Sequence, residues 1–164
     1  MLDTIDFSKM KTLGAGGSNV CYTNGKIAVK FGDVDQEQVD LMIEAAEHEL
    51  SVPVLYYQQN VQLSNDIMQL MYKFPRKFYY NGYDDEPWPV HHIKKVSRAN
   101  VLVMPYAKPL MRNDKEYTEA YTDKMQLLAD EVANKYFMIF NKEWGDDHPW
   151  NLGYYRQNLV ILDF

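Results

Sequence analysis

Near the start of the chain, residues 11–13, 20–22 and 26–31 form apolar runs typical of β-strands. A glycine-rich stretch separates the first two runs, and Asn24-Gly25 separates the last two. The Asn-Gly pair favours a tight hairpin turn because both residues tolerate positive φ. Residues 10–31 are therefore predicted to form a strand, a glycine-rich loop, a strand, a turn and a strand.

Apolar residues recur at helical spacing in three later segments, which predicts three helices. The first covers residues 33–50, has acidic residues at its start, as the helix dipole favours, and stops at Ser51-Val52-Pro53. A shorter helix is predicted at residues 66–73. The third is a long helical region from 113 to about 141 with a wide apolar face.

Short apolar runs predict the remaining strands, at residues 54–57, 90–96, 101–104, 152–155 and 159–162. We expect a loop at 76–89, a turn at 97–100, and a hairpin turn at Arg156-Gln157-Asn158. Strands, helix, strands, helix and a small hairpin follow one another without alternating βαβ units. That order predicts an α+β fold.

Composition limits the classes of partner and compartment. A length of 164 residues suits one domain, and a net charge of −6 argues against a nucleic-acid partner because phosphates would be repelled. The single cysteine, Cys21, cannot form an internal disulfide, which favours a reducing, cytoplasmic location. No apolar run approaches membrane-spanning length and no signal peptide is recognisable, so no membrane partner is expected.

Glycines and a lysine near the start suggest a phosphate site. Gly14, Gly16 and Gly17 would let backbone N–H groups approach phosphate oxygens, although a flexible hairpin tip has the same composition. Lys30 interrupts an otherwise apolar strand, where a buried charge needs a partner. A nucleotide phosphate or a helix carboxylate would serve, and an edge-strand lysine that reaches water is the alternative.

Oxygen-bearing side chains cluster near the end of the chain. Asp146 and Asn151 lie five residues apart, and Asp163 follows an apolar run. Carboxylate and amide oxygens suit a hard cation such as Mg²⁺ carried in with a nucleotide. Taken singly, Asp146 or Asp147 can be a loop cap and Asn151 a turn residue.

Together these segments resemble the ATP site of the protein-kinase-like superfamily. Residues 13–22 resemble its glycine-rich loop, 28–30 its third-strand lysine motif, and 101–106 its fifth strand and hinge. Residues 146–151 are similar to the Asp-x-His-Pro-x-Asn catalytic loop of aminoglycoside and related phosphotransferases, and 162–164 resemble the start of the Asp-Phe-Gly motif. Within the superfamily, the pattern resembles short phage-encoded Ser/Thr protein kinases.

The resemblance implies a role for each residue. The backbone around Gly14, Ala15, Gly16, Gly17 and Ser18 would cover the ATP phosphates, and Met104 to Tyr106 would contact adenine. Lys30 would contact the α/β-phosphates and pair with Glu44, with Glu47 and Glu37 as alternatives. Asn151 and Asp163 would hold Mg²⁺. Asp146 would accept or orient the substrate hydroxyl, and it is preferred to Asp147 because it keeps the five-residue step to Asn151.

The resemblance also implies the domain plan. We expect a single two-lobed kinase-like domain, with a small lobe at about 1–105, an insertion near 60–90, and a truncated large lobe at 106–164. The aromatic residues of the insertion suggest either a docking surface or packing over the small lobe. Trp144-Gly145 stand where the family has His-Arg, so regulation by activation-loop phosphorylation is not expected.

The implied function is an ATP/Mg²⁺-dependent protein kinase acting on Ser/Thr of a host protein, in the host cytoplasm if the chain is phage-encoded. Because no activation segment follows Phe164, a second copy or a partner protein would complete the large lobe, unless that surface is absent or unnecessary. One alternative is a catalytically weak or inactive kinase-fold protein that captures or inhibits a host partner. A small-molecule kinase is the second alternative.

Overall fold

The computed structural model describes residues 1–15, 19–72, 97–111 and 117–163, apart from the side chains of Ala15 and Tyr72. Over these residues the chain forms three α-helices and eight β-strands, which confirms the predicted α+β class. It divides into two compact units, Met1–Val39 with Val54–Tyr106 (unit 1) and Asp40–Pro53 with Ala107–Phe164 (unit 2). The predicted loop at 76–89 and strand at 90–96 lie outside the described residues, as does most of the expected insertion.

Unit 1 is built on a five-stranded antiparallel sheet with the order β1-β2-β3-β5-β4. Its strands are β1 Lys11–Ala15, β2 Asn19–Thr23, β3 Ile27–Gly32, β4 Tyr56–Gln62 and β5 Arg98–Pro105. The predicted hairpin between β2 and β3 is confirmed. In its turn Gly25 has φ 86°, whereas Asn24 uses its side-chain Oδ1 to accept the N–H groups of Lys26 and Ile27.

One face of this sheet forms the core of unit 1. Helix α2, Asn65–Tyr72, and the short 3-10 turns at the N-terminus pack against that face. The buried strand residues of the face are Val20, Tyr22, Val29, Phe31, Val101 and Val103. Because side chains alternate along a strand, Lys30 projects from the opposite face.

Helix α1, Gln36–Glu47, is shorter than the predicted 33–50 because capping interactions set both its first and its last turn. Asp35 and Gln38 form a capping box: each side chain accepts the backbone N–H of the other, at 2.8 and 3.3 Å. At the other end, the N–H groups of Leu50 and Glu49 donate to the carbonyls of Ala45 and Ala46. This Schellman turn, with Glu49 at φ 59°, ends the helix well before Pro53.

Unit 2 combines part of α1 with helix α3, Glu119–Phe140, and a three-stranded sheet. The long helix was predicted to start at 113. Residues 117 and 118 are not helical, so the prediction is wrong there, and residues 113–116 lie outside the described residues. Thr118 is the N-cap of α3, since its side chain accepts the N–H of Tyr121. The predicted end is confirmed by Asn141, which caps α3 in the left-handed conformation.

The sheet of unit 2 has the order β6-β7-β8 and consists of β6 Lys108–Pro109, β7 Leu152–Tyr155 and β8 Asn158–Ile161. The predicted hairpin of β7 and β8 is confirmed, and β6 was not predicted because two residues carry no periodic signal. The segment after α1 is joined to β8, since the N–H of Ile161 donates to the carbonyl of Leu50 at 2.8 Å. Buried residues of this unit form a second core: Ala45, Leu50, Leu110, Met111, Met125, Ala129, Val132, Tyr136, Trp144, Leu152 and Ile161.

Two predicted boundaries in unit 1 are wrong, and strand pairing explains both. The predicted turn at 97–100 is mostly strand, because Arg98 pairs with Gln62 and extends β5 backwards. Likewise β4 starts at Tyr56 and continues to Gln62, beyond the predicted 54–57. Among the described helices, none has the length and apolar character needed to cross a membrane.

Candidate functional site

Lys30 lies in the middle of the unit 1 sheet and is only 7% exposed. Its neighbours across the ladders are Cys21 on β2 and Leu102 on β5, so β3 is not an edge strand. The alternative of an edge-strand lysine is therefore wrong. Two residues earlier on the same face, buried Ala28 stands opposite buried Met104. An ammonium group thus shares one sheet face with an apolar strip.

The glycine-rich segment adjoins the same row. Gly14 on β1 pairs with Cys21, which in turn pairs with Lys30, and β1 has an irregular register between Thr12 and Gly14. A Cβ atom at Gly14 would meet no atom of the described residues within 4 Å. Ala15 pairs with Val20 through its backbone. Gly16, Gly17 and Ser18 lie outside the described residues, and their phosphate-binding role stays a prediction.

At the predicted hinge, the end of β5 directs its polar backbone groups in alternate directions. The N–H of Tyr106 donates to the carbonyl of Lys26 at 2.9 Å, which makes this a hydrogen-bonded pair of the antiparallel ladder. Hydrogen-bonded and non-hydrogen-bonded pairs alternate along an antiparallel ladder, so the N–H and carbonyl of Met104 also face β3. The carbonyl of Pro105, which has no N–H, faces away from β3. Contact of the hinge residues 104–106 with adenine stays a prediction.

The three candidate carboxylates for Lys30 lie along α1. Glu37, in the first turn, belongs to unit 1, whereas Glu44 and Glu47 belong to unit 2, and all three are exposed. Burial raises the pKa of Tyr136 on α3, and the nearby charge of Glu44 raises it further. Glu44 therefore lies within electrostatic range of α3. Which of the three pairs with Lys30 stays a prediction.

The loop 146–151 in unit 2 is folded by its own backbone. The N–H of His148 donates to the carbonyl of Asp146 at 2.7 Å, and the N–H of Asn151 donates to that of His148 at 2.9 Å. Pro149 begins a 3-10 turn, Pro149–Asn151, for which its fixed φ suits it, and His148 Nδ1 accepts the N–H of Trp150. The His-Pro-x-Asn spacing therefore closes one compact turn.

Asn151 joins this loop to the segment that carries Asp163. Its side-chain Nδ2 donates to the carbonyl of Asp146 at 3.3 Å, and its own carbonyl accepts the N–H of Leu162 at 2.7 Å. Since Nδ2 is used in this way, Oδ1 is the amide atom that can face a cation. The structure thus brings Asp146, Asn151 and Asp163 to one end of the β7–β8 hairpin.

The main-chain carbonyls of Asp146 and Asp147 accept hydrogen bonds from different parts of the chain. The carbonyl of Asp146 bonds within the loop and to Asn151, whereas the carbonyl of Asp147 accepts Gln126 Nε2 of α3 at 3.2 Å. Both carboxylates are exposed. The choice of Asp146 over Asp147 therefore stays a prediction based on spacing.

The donors at this end fit Mg²⁺ bound to a nucleotide. The described residues contain no group of three or more His, Cys, Asp or Glu side chains able to hold a metal ion alone. Nucleotide-bound Mg²⁺ needs only one or two protein carboxylates, because phosphates and water supply its other ligands. Half-buried Asp163 and the Asn151 amide are a donor set of that kind.

Two side chains of this site were missed from the sequence. Gln126 holds the carbonyl of Asp147 from α3, and the Trp144 indole N–H donates to the carbonyl of Asp163 at 3.3 Å. The only available signal for Trp144 was its position in the motif, where histidine is usual. Gln126 gave none, since its contact depends on the packing of α3.

Comparisons with protein-family models, with curated proteins and with solved structures found no match for this chain. Its function is therefore inferred from its own residues.

Proposed function

We propose that this chain is an ATP- and Mg²⁺-dependent phosphotransferase with a two-lobed kinase-like fold, with a small lobe at about 1–105 and a truncated large lobe at 106–164. One observation carries the proposal. Asn151 bonds to Asp146 through its side chain and to Leu162, beside Asp163, through its carbonyl. The proposed base and both proposed metal ligands are thereby held in one arrangement.

Each residue has a defined role. Lys30, buried on the face that carries Ala28 and Met104, binds the α/β-phosphates while that apolar strip receives the adenine. Asn151 Oδ1 and the Asp163 carboxylate bind Mg²⁺, which when present neutralises phosphate charge. Asp146 orients the acceptor hydroxyl. Little covalent chemistry is required of the protein, since phosphoryl transfer depends mainly on positioning and electrostatics.

We propose the hydroxyl of Ser or Thr in a protein as the acceptor. The support is the exposure of Asp146, which leaves its carboxylate open to a macromolecular substrate. The cellular setting proposed is the cytoplasm, with a host protein as substrate if the chain is phage-encoded. A small-molecule acceptor would be recognised by transfer of phosphate to a soluble metabolite fraction instead of to protein.

The test combines binding and transfer. We expect ATP with Mg²⁺ to raise the melting temperature more than ATP alone, as mass action requires for a ligand of the native state. Transfer of the γ-phosphate to lysate proteins should be lost in Asp146→Ala and Asp163→Ala and retained in Asp147→Asn, the neighbouring control. Equal labelling by all four proteins would refute the enzyme. Stabilisation without labelling would identify a nucleotide-binding protein that does not turn over.

A further inference from the structure

Trp144 is a core residue that also reaches the proposed metal site. It lies two residues before Asp146 and is 6% exposed, within the apolar core of unit 2. Its Nε1–H donates to the main-chain carbonyl of Asp163 at 3.3 Å, slightly longer than the usual N–H···O distance. A polar group among buried side chains needs such a partner, and the low local dielectric strengthens the bond.

Asp163 is consequently held on both sides. Before it, the N–H of Leu162 donates to the carbonyl of Asn151, and after its Cα, its own carbonyl accepts Trp144. Both partners belong to the segment 144–151, which also contains Asp146. The first bond fixes the peptide plane between Ile161 and Leu162, and the second fixes the plane that follows Asp163. Together they restrict the backbone of Leu162 and Asp163, and hence the direction in which the Cβ of Asp163 leaves it.

We propose that Trp144 is a positioning residue that orients the Asp163 carboxylate toward Mg²⁺. This inference rests on the proposed function. An indole suits the task because it has one N–H donor, accepts no hydrogen bond and does not titrate. The position that the family pattern fills with histidine is here filled by a donor whose hydrogen bond is independent of pH near neutrality.

The first test measures the Mg²⁺ requirement for ATP binding. Trp144→Phe keeps an aromatic ring and removes the N–H, and Trp88→Phe is the matched control, at a tryptophan outside the segment 144–151. With ATP fixed, we expect Trp144→Phe to need about five- to tenfold more Mg²⁺ for the half-maximal rise in melting temperature, the effect of one lost hydrogen bond. The rise from ATP without Mg²⁺ should equal that of wild type.

The outcomes separate this inference from the proposed function. Identical Mg²⁺ titrations of Trp144→Phe and wild type would overturn the positioning role and leave the function intact. A wild-type protein whose melting temperature does not respond to Mg²⁺ and ATP would overturn both.

A second test keeps Trp144 in place and therefore applies even if Trp144→Phe does not fold. The chain has three tryptophans, so Trp88→Phe with Trp150→Phe leaves Trp144 as the single indole. In ¹H–¹⁵N spectra, its N–H resonance should shift when Mg²⁺ is added to the ATP complex, and not when Mg²⁺ is added alone. A resonance unmoved by Mg²⁺ in the ATP complex would refute the proposal.

Discussion

Tyr136 is a buried ionisable residue on α3, 2% exposed, with its ring 4.6 Å from that of Phe140. Burial, and secondarily the charge of Glu44, raises its pKa above the usual 10.0. The native state therefore keeps this proton at a pH where the unfolded chain has lost it. Stability from this group is present below pH 10 and falls as pH rises toward the folded pKa.

We expect wild type to lose up to about 1.4 kcal/mol of unfolding free energy per pH unit from this residue above pH 10. Tyr136→Phe cannot ionise and should show a smaller loss between pH 8 and 10.5, measured by urea unfolding. Tyr154→Phe, at an exposed tyrosine, should match wild type. Equal losses in Tyr136→Phe and wild type would show that ionisation at this position does not matter.

The identities of the candidate site residues could be read from motif spacing, but their contacts could not. Lys30 was recognisable because a lysine interrupts an apolar strand, and β3 places it in the sheet interior. Trp144 and Gln126 act through atoms supplied by distant parts of the chain, Asp163 and Asp147. Such contacts arise from tertiary packing, which a local pattern does not encode.

The hairpin of β7 and β8 carries backbone strain in its turn. Tyr155 pairs with Asn158, and the two residues between them, Arg156 and Gln157, have φ of 49° and 75°. Both values match a type I′ turn, where Asn-Gly is preferred and other L-residues pay a steric cost. The Arg156 guanidinium also lies 5.2 Å from the centre of the Tyr155 ring, so Gln157 is the better position to change.

We expect Gln157→Gly to stabilise the protein by about 1 kcal/mol and raise its melting temperature by about 2–4 °C. Calorimetry would measure the change, with Gln157→Ala as the control because alanine keeps the steric cost. If alanine stabilised as much as glycine, the strain would lie elsewhere. ATP and Mg²⁺ binding should not change, since Asn151 and Asp163 lie at the other end of the hairpin.

At the level of elements, long periodic segments were predicted well and their ends were not. The 12 residues of α1 lie inside the predicted 33–50, and the capping box and Schellman turn explain both missing ends. Strand β5 begins earlier than its apolar run because Arg98 and Ala99 pair with Gln62 and Val61 of β4. Hydrogen bonds set these boundaries, whereas hydrophobic pattern sets the interior of each element.

At the scale of the whole molecule, the proposed function makes ATP binding depend on both Lys30 and Asp163, which lie far apart in the sequence. The α+β class and the separate local sites were predictable from the sequence. Their joint action on one nucleotide is an expectation of the family resemblance. The single cysteine offers a reporter, because Cys21 is half-buried and lies in the row Gly14–Cys21–Lys30.

If nucleotide binds beside Lys30, ATP with Mg²⁺ should cover Cys21 and slow its alkylation by iodoacetamide. At about ten times the dissociation constant, roughly nine-tenths of the protein is bound, so the rate should fall about tenfold. Lys30→Met should abolish this protection, and Asp147→Asn should retain it. Asp163→Asn should lose the part of the protection that requires Mg²⁺. An alkylation rate unchanged by ATP and Mg²⁺, under conditions where both raise the melting temperature, would place the nucleotide away from β3.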